Sequence, residues 1–187
     1  MLGPPPDSPL NVQSPRLKFA EALCVLEIRV AHQQPNGQWR EHPPQQYVAQ
    51  NDQTLLLPYD PCTDQVVLLE QYFVGTHRQP EGPWHLGLIE SAPEQTVELL
   101  TSISGHEPIA IETIGDCYLQ PGQNSQRTHL LCAGIMLATT PAMPNTVLLS
   151  TQDAIEALDG NYLQDAALII TLHWLRFHRL RLQQQWR

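Results

Sequence analysis

Between residues 22 and 30 apolar and polar positions alternate, with Cys24, Leu26, Ile28 and Val30 on one face and Glu27 and Arg29 on the other. A period of two predicts a strand with one side buried. Pro35-Asn36-Gly37 supplies a turn, and Trp39 opens the return strand. The pattern changes at 54–57 and 66–69, where Thr54-Leu55-Leu56-Leu57 and Val66-Val67-Leu68-Leu69 are continuous apolar runs joined by Asp60-Pro61-Cys62-Thr63-Asp64. Runs of this kind predict core strands linked by a tight loop. Further strands are expected over 84–89, 109–114, 128–135 and 146–149, with a turn at Gln120-Pro121-Gly122-Gln123-Asn124.

Helical spacing enters after residue 90. Ser91-Ala92-Pro93-Glu94 has the form of a helix start, with a serine cap, a proline in the first turn and an acidic residue three after the cap. Val97, Leu100 and Ile103 then recur at helical spacing, and Gly105 is placed to end the helix. A short helix is expected over 153–158 and a long one over 163–184, with Leu168, Leu172, Leu175 and Leu180 among its apolar positions. Many strands with one helix inserted and helices at the end point to an α/β sandwich of mixed sheets. The expected organisation is a flexible proline-rich tail over 1–15, an N-terminal antiparallel β segment over 16–50 that serves dimerisation, and an α/β domain over 51–187.

Composition narrows the function. The 187 residues are 42% hydrophobic, enough for one substantial core. A net charge of −9 with only ten basic residues argues against a general nucleic-acid grip, which draws its affinity from lysine and arginine on phosphates. Arg176, Arg179, Arg181 and Arg187 cluster near the end, where cations complement a helix C-terminus. Cys24, Cys62, Cys117 and Cys132 form no C-x-x-C pair, so they read as reduced thiols rather than a zinc site or a disulfide framework. The longest apolar run, 166–172, is too short to span a bilayer, and no basic stretch leads into an apolar core at the start. A cytoplasmic protein is expected.

Several short stretches, taken together and in order, resemble the ADP-ribose pyrophosphatase branch of the Nudix hydrolases from about Leu23 onward. They are Leu56-Leu57-Pro58-Tyr59-Asp60-Pro61, Val66-Val67-Leu68-Leu69-Glu70-Gln71, Pro83-Trp84, Gln120-Pro121-Gly122 with Ser125 and Arg127, and the helix from Ala166-Ala167 to His173-Trp174-Leu175. The resemblance implies a Nudix-type α/β/α sandwich and a homodimer built through the N-terminal strands. It also implies a helix carrying R-E-x-x-E-E-x-G, whose glutamates hold the metals that bridge a diphosphate. With the last glycine on Gly105, the arginine falls on Glu98 and the glutamates on Leu99, Ser102 and Ile103. None of the three is a useful ligand for Mg²⁺, which binds oxygen.

The other implied site positions have changed too. Phe73 stands where the family has a phosphate-gripping arginine, Gln45 and Gln46 where a basic and an acidic residue approach adenine, and Gln126 where a glutamate precedes Arg127. The family's mobile loop after the 128–135 strand carries a general base, but no Asp or Glu occurs between Asp116 and Asp153. Glu70, Phe73, Glu90, Ser125, Arg127, Gln45 and Gln46 remain ligand-binding candidates, with Arg127 either a phosphate or ribose contact or a strand-pair residue.

Three functions compete. The favoured one is a catalytically degenerate Nudix-fold homodimer, without a cofactor, that binds a nucleotide-like small molecule or a protein partner. The alternative is a divergent Mg²⁺-dependent hydrolase of nucleoside-diphosphate sugars, its metal on Glu90, Glu94 and Glu98. The third is an architectural role as a dimeric surface. His77, His85, His106 and His129 lack ligand spacing, and His173 and His178 lie on different helix faces.

Overall fold

The computed structural model describes residues 9–80, 82–137 and 143–187. Two compact units divide the chain, one from residues up to 51 together with 120–126, the other from 52–119 and 127–187.

The first unit contains β1 (Leu10–Val12), β2 (Arg16–Ala20), β3 (Cys24–Ile28), β4 (Val30–Gln33), β5 (Trp39–Glu41) and β6 (Gln45–Ala49). They form two three-stranded antiparallel sheets, ordered β1-β4-β5 and β2-β3-β6. The strand expected over 22–30 therefore breaks at Arg29 and contributes to both sheets. Its residues are half-covered on both faces rather than buried on one. Within the proline-rich tail, residues 1–8 lie outside the described residues, whereas Leu10–Val12 pair with Val30–His32. Pro9 and Pro15 flank this strand, where a missing N–H is tolerated. The turn expected at Pro35-Asn36-Gly37 is present, with Gly37 at φ +84, a conformation that glycine adopts without a steric cost.

The second unit contains β7 (Gln53–Asp60), β8 (Gln65–Tyr72), β9 (Trp84–Gly87), β10 (Ile89–Ser91), α1 (Thr96–Ser104), β11 (Ala110–Cys117), β12 (Thr128–Gly134), β13 (Thr146–Ser150), α2 (Thr151–Asp159) and α3 (Ala166–Gln185). Among the described residues these strands make one seven-stranded sheet along β11-β12-β7-β8-β13, with β10 on β7 and β9 on β8. β12 runs parallel to β7 and the other pairings are antiparallel, so the sheet is mixed. β7 and β8 pair only beside their connecting loop. The buried Asp60 carboxylate organises that loop by accepting from the N–H groups of Cys62 (2.8 Å), Thr63 (3.2 Å) and Leu137 (3.0 Å).

Alternation along the strands sends side chains to two cores. Leu57, Val66, Leu68, Leu130 and Cys132 meet Leu168, Leu172, Leu175 and Leu182 of α3. Leu56, Val67, Ile89, Ala133 and Ile135 meet Leu100 and Ile103 of α1. The result is the expected α/β/α sandwich. On α3 the inward register after Leu175 passes through Arg179 to Leu182, so Leu180 is exposed rather than a core position. Val97 of α1 is likewise half-exposed.

The arginines of α3 do not form a free basic patch. Arg179 grips Asp64 with two hydrogen bonds, Arg181 grips Glu112 at 2.7 and 3.0 Å, and Arg176 lies 2.6 Å from Asp159. Arg187 donates to the Pro61 carbonyl. Among the described residues no helix is long and apolar enough to cross a membrane.

Candidate functional site

The segment that leads into α1 departs from a simple capped helix. Ser91 is the last residue of β10 rather than the cap, and Pro93–Gln95 form a 3₁₀ turn with Pro93 in its opening position. α1 begins at Thr96 behind Gln95, whose side chain makes no capping bond. Buried Ser91 and Thr96 instead share a contact of 3.2 Å between their hydroxyls, and both hydroxyls donate to the Ala92 carbonyl. Gly105 closes α1 in the left-handed conformation, φ +80, and its N–H returns to the Thr101 carbonyl, as the sequence led one to expect.

Leu99, Ser102 and Ile103 have distinct surroundings. Ile103 is 3% exposed and sits in the α1 core, and Leu99 packs against the same cluster. Ser102 is exposed and donates to the Leu99 carbonyl at 2.7 Å. Gln95, Glu98, Leu99 and Ser102 line a shallow open concavity of about 290 Å³ in which Glu98 is the one charged member. Glu90, Glu94 and Glu98 are all exposed. Among the described residues, no three His, Cys, Asp or Glu side chains come together in an arrangement able to hold a metal ion.

The remaining candidates occupy different settings. Glu70 is exposed near the end of β8, and its N–H donates to the Asn145 carbonyl. Phe73 is bound into the same region, its N–H on the Pro83 carbonyl and its ring 6.2 Å from that of His85. The ring also leans over Gly87, where a Cβ would lie 3.1 Å from Cζ, and Gln71 beside it donates to the Leu88 carbonyl. In the first unit Ser125 stitches its turn to β6, accepting from the Gln50 N–H and donating to the Gln50 carbonyl. Gln46 reaches Glu27, itself paired with Lys18 at 3.1 Å, and Gln45 stands opposite Ile28.

Arg127 belongs to a cluster that the sequence did not reveal. Its Nη2 donates to Asp116 Oδ2 at 2.5 Å, and His129 Nδ1 lies 2.7 Å from Asp116 Oδ1, so one carboxylate is shared by both. The Arg127 N–H donates to Asp52. Asp116 and His129 are directly opposed on β11 and β12, beyond a bulge between Thr113 and Gly115 that shifts the register. Since the carboxylate accepts, His129 carries its proton on Nδ1 and leaves Nε2 as an acceptor when neutral. The hydrogen bond from His129 foremost, then the charge of Arg127, holds the Asp116 carboxyl below its ordinary 3.8, against the opposing effect of burial.

Two outcomes follow from this geometry. Because the folded value lies below the unfolded one, the Asp116 cluster stabilises the fold above pH 3.8 and loses that contribution as pH falls through the folded value. Carboxyl-detected NMR titration should place Asp116 below 3.8 and His129→Ala should raise it; an unchanged midpoint in that variant contradicts the assignment. On α1, Ile103→Glu should cost about 3 kcal/mol or more in urea unfolding because it buries an unpaired charge, whereas exposed Ser102→Glu should stay within about 0.5 kcal/mol. Equal costs would show that residue 103 is not core-bound.

Comparison with known proteins gives a consistent likeness. No family model matches the sequence. The ADP-ribose pyrophosphatase of Escherichia coli (strain K12) is 24% identical, over 84% of this chain and 83% of that protein. The ADP-ribose pyrophosphatase of Haemophilus influenzae is 22% identical, over 71% and 70%. A crystal structure of an ADP compounds hydrolase superposes with a TM-score of 0.63 at 15% identity, covering 94% of this chain and 95% of that one. The chain therefore has the Nudix hydrolase fold and resembles the ADP-ribose pyrophosphatases along most of its length.

Proposed function

We propose that this chain is a catalytically degenerate counterpart of the ADP-ribose pyrophosphatases, a homodimer that binds a nucleotide-like small molecule or a protein partner without cleaving pyrophosphates. The carrying observation is that Leu99 and Ile103, aligned with two of the family's metal-holding glutamates, pack into the α1 core. Mg²⁺ requires an oxygen shell, and of the three aligned positions only Ser102 offers an exposed oxygen. The residues present therefore do not fit the metal that the fold family implies. The absence of any Asp or Glu between Asp116 and Asp153 removes a carboxylate base from the stretch where the family supplies one. Residues 138–142 of that stretch lie outside the described residues.

The replacement of arginine by Phe73 favours a ligand held with less phosphate contact, and exposed Glu70 and Glu90 remain the polar candidates to meet it in the second unit. Dimerisation is supported by the first unit's exposed Leu10, Val12, Leu17, Phe19, Leu23 and Trp39, apolar side chains that a second subunit would cover. The four cysteines are free, which fits a reducing cytoplasmic location.

Incubated with ADP-ribose and Mg²⁺ or Mn²⁺, the pure protein should give no turnover above background. Turnover abolished by Glu94→Gln or Glu98→Gln would establish the divergent hydrolase instead. Light scattering at micromolar concentration should return the mass of a dimer, and a monomer would refute that part of the proposal.

A further inference from the structure

The first unit holds a second cluster with chemistry of its own. His32 lies on β4, and His42 directly follows β5, its N–H donating to the Val30 carbonyl at 2.9 Å so that it extends the strand pairing. His32 Nδ1 and His42 Nε2 are 2.7 Å apart, with the rings stacked at 4.8 Å between centroids. Register explains the meeting. His32 pairs with Arg40 and Ala31 with Glu41, so His42 falls opposite Val30 and diagonal to His32 on one face.

An imidazole pair at hydrogen-bond distance needs one N–H and one lone pair between the facing nitrogens, so it holds when both rings are neutral or when they share one extra proton. On this face β1 presents Leu10 and Val12, and β5 presents Arg40 opposite His32. Neutral imidazole nitrogen is the commonest protein ligand for late first-row divalent metals.

We propose that His32 and His42 form a two-histidine site for a divalent cation of the zinc and copper class, completed by water. Binding needs the facing nitrogens to open to roughly 3.3 Å, the span of two bonds of about 2.0–2.1 Å at a tetrahedral angle. The ring that donates in the pair moves its N–H to its other nitrogen through solvent, freeing a second lone pair, so a neutral pair binds without net proton release. A singly protonated pair gives up one proton on binding. Both rings belong to exposed residues or partly covered strand positions, so solvent reaches the pair. Two nitrogen donors select against Mg²⁺, so this site is independent of the second unit's α1 and of whether the chain hydrolyses anything.

Calorimetric titration of the untagged full chain at pH 7.5 with Zn²⁺ alone tests the site. One ion should bind per chain; His32→Ala and His42→Ala should each weaken uptake by about tenfold or more, while His173→Ala and substitution of Mg²⁺ for Zn²⁺ in the wild type serve as unaffected and non-binding controls. Substoichiometric Cu²⁺ should broaden the ring resonances of His32 and His42 before those of the other histidines, a readout that needs no variant. No uptake at millimolar Zn²⁺, uptake indifferent to both variants, or earlier broadening elsewhere would each overturn the proposal.

Discussion

The contact between α1 and the sheet is the constraint on which the second unit's α1 side depends. Leu100 and Ile103 lie against Leu56, Ile89, Ala133 and Ile135, and each buried apolar side chain of that size contributes about 1.5–3 kcal/mol. Leucine and glutamate differ little in helix propensity, so exchanging one for the other barely alters the tendency to form α1. It alters what the helix face can do. Leu99 and Ile103 extend the apolar stripe over positions where carboxylates would have to point into water, and the concavity beside them retains Glu98 as its charged member.

Internal pairing of charge works in the same direction. A diphosphate is bound through cations, and in this chain Arg127 is held by Asp116, Arg179 by Asp64 and Arg181 by Glu112. Asp64 also accepts from the Tyr59 hydroxyl at 2.9 Å, and burial foremost, then that carboxylate, pushes the phenol well up from its ordinary range. These pairs bind β-strand ends and α3 to one another and occupy three guanidinium groups with the chain's own carboxylates. A chain with ten basic residues and a net charge of −9 thereby offers a weak electrostatic welcome to phosphate.

The core was readable in the sequence wherever one periodicity held. The continuous apolar runs became β7 and β8, Leu100 and Ile103 became the α1 contact, and Gly105 ended the helix in the conformation that favours glycine. Legibility failed where tertiary partners overrode local pattern. Residues 22–30 read as one strand, yet β1 and β2 supplied separate partners on either side of Arg29. β6 opens with Gln45 and Gln46 and gave no alternating signal, and Leu180 lost its core position because Arg179 took the inward register toward Asp64. The placement of Leu99, Ser102 and Ile103 on α1 followed from their spacing to Gly105. The Asp116 cluster was hidden, because a bulge decides which residue of β11 faces His129, and no spacing rule reports a bulge.

The central claim is that the apolar face of α1 has no seat for divalent ions beside a pyrophosphate. Crystals grown with Mn²⁺ and a non-hydrolysable ADP-ribose analogue, measured at the manganese absorption edge, test it most directly. The account predicts no anomalous peak along residues 94–103, whether or not the analogue binds. Hydrated Mn²⁺ ions ordered against Glu94 and Glu98 and bridging the analogue's phosphates would contradict it.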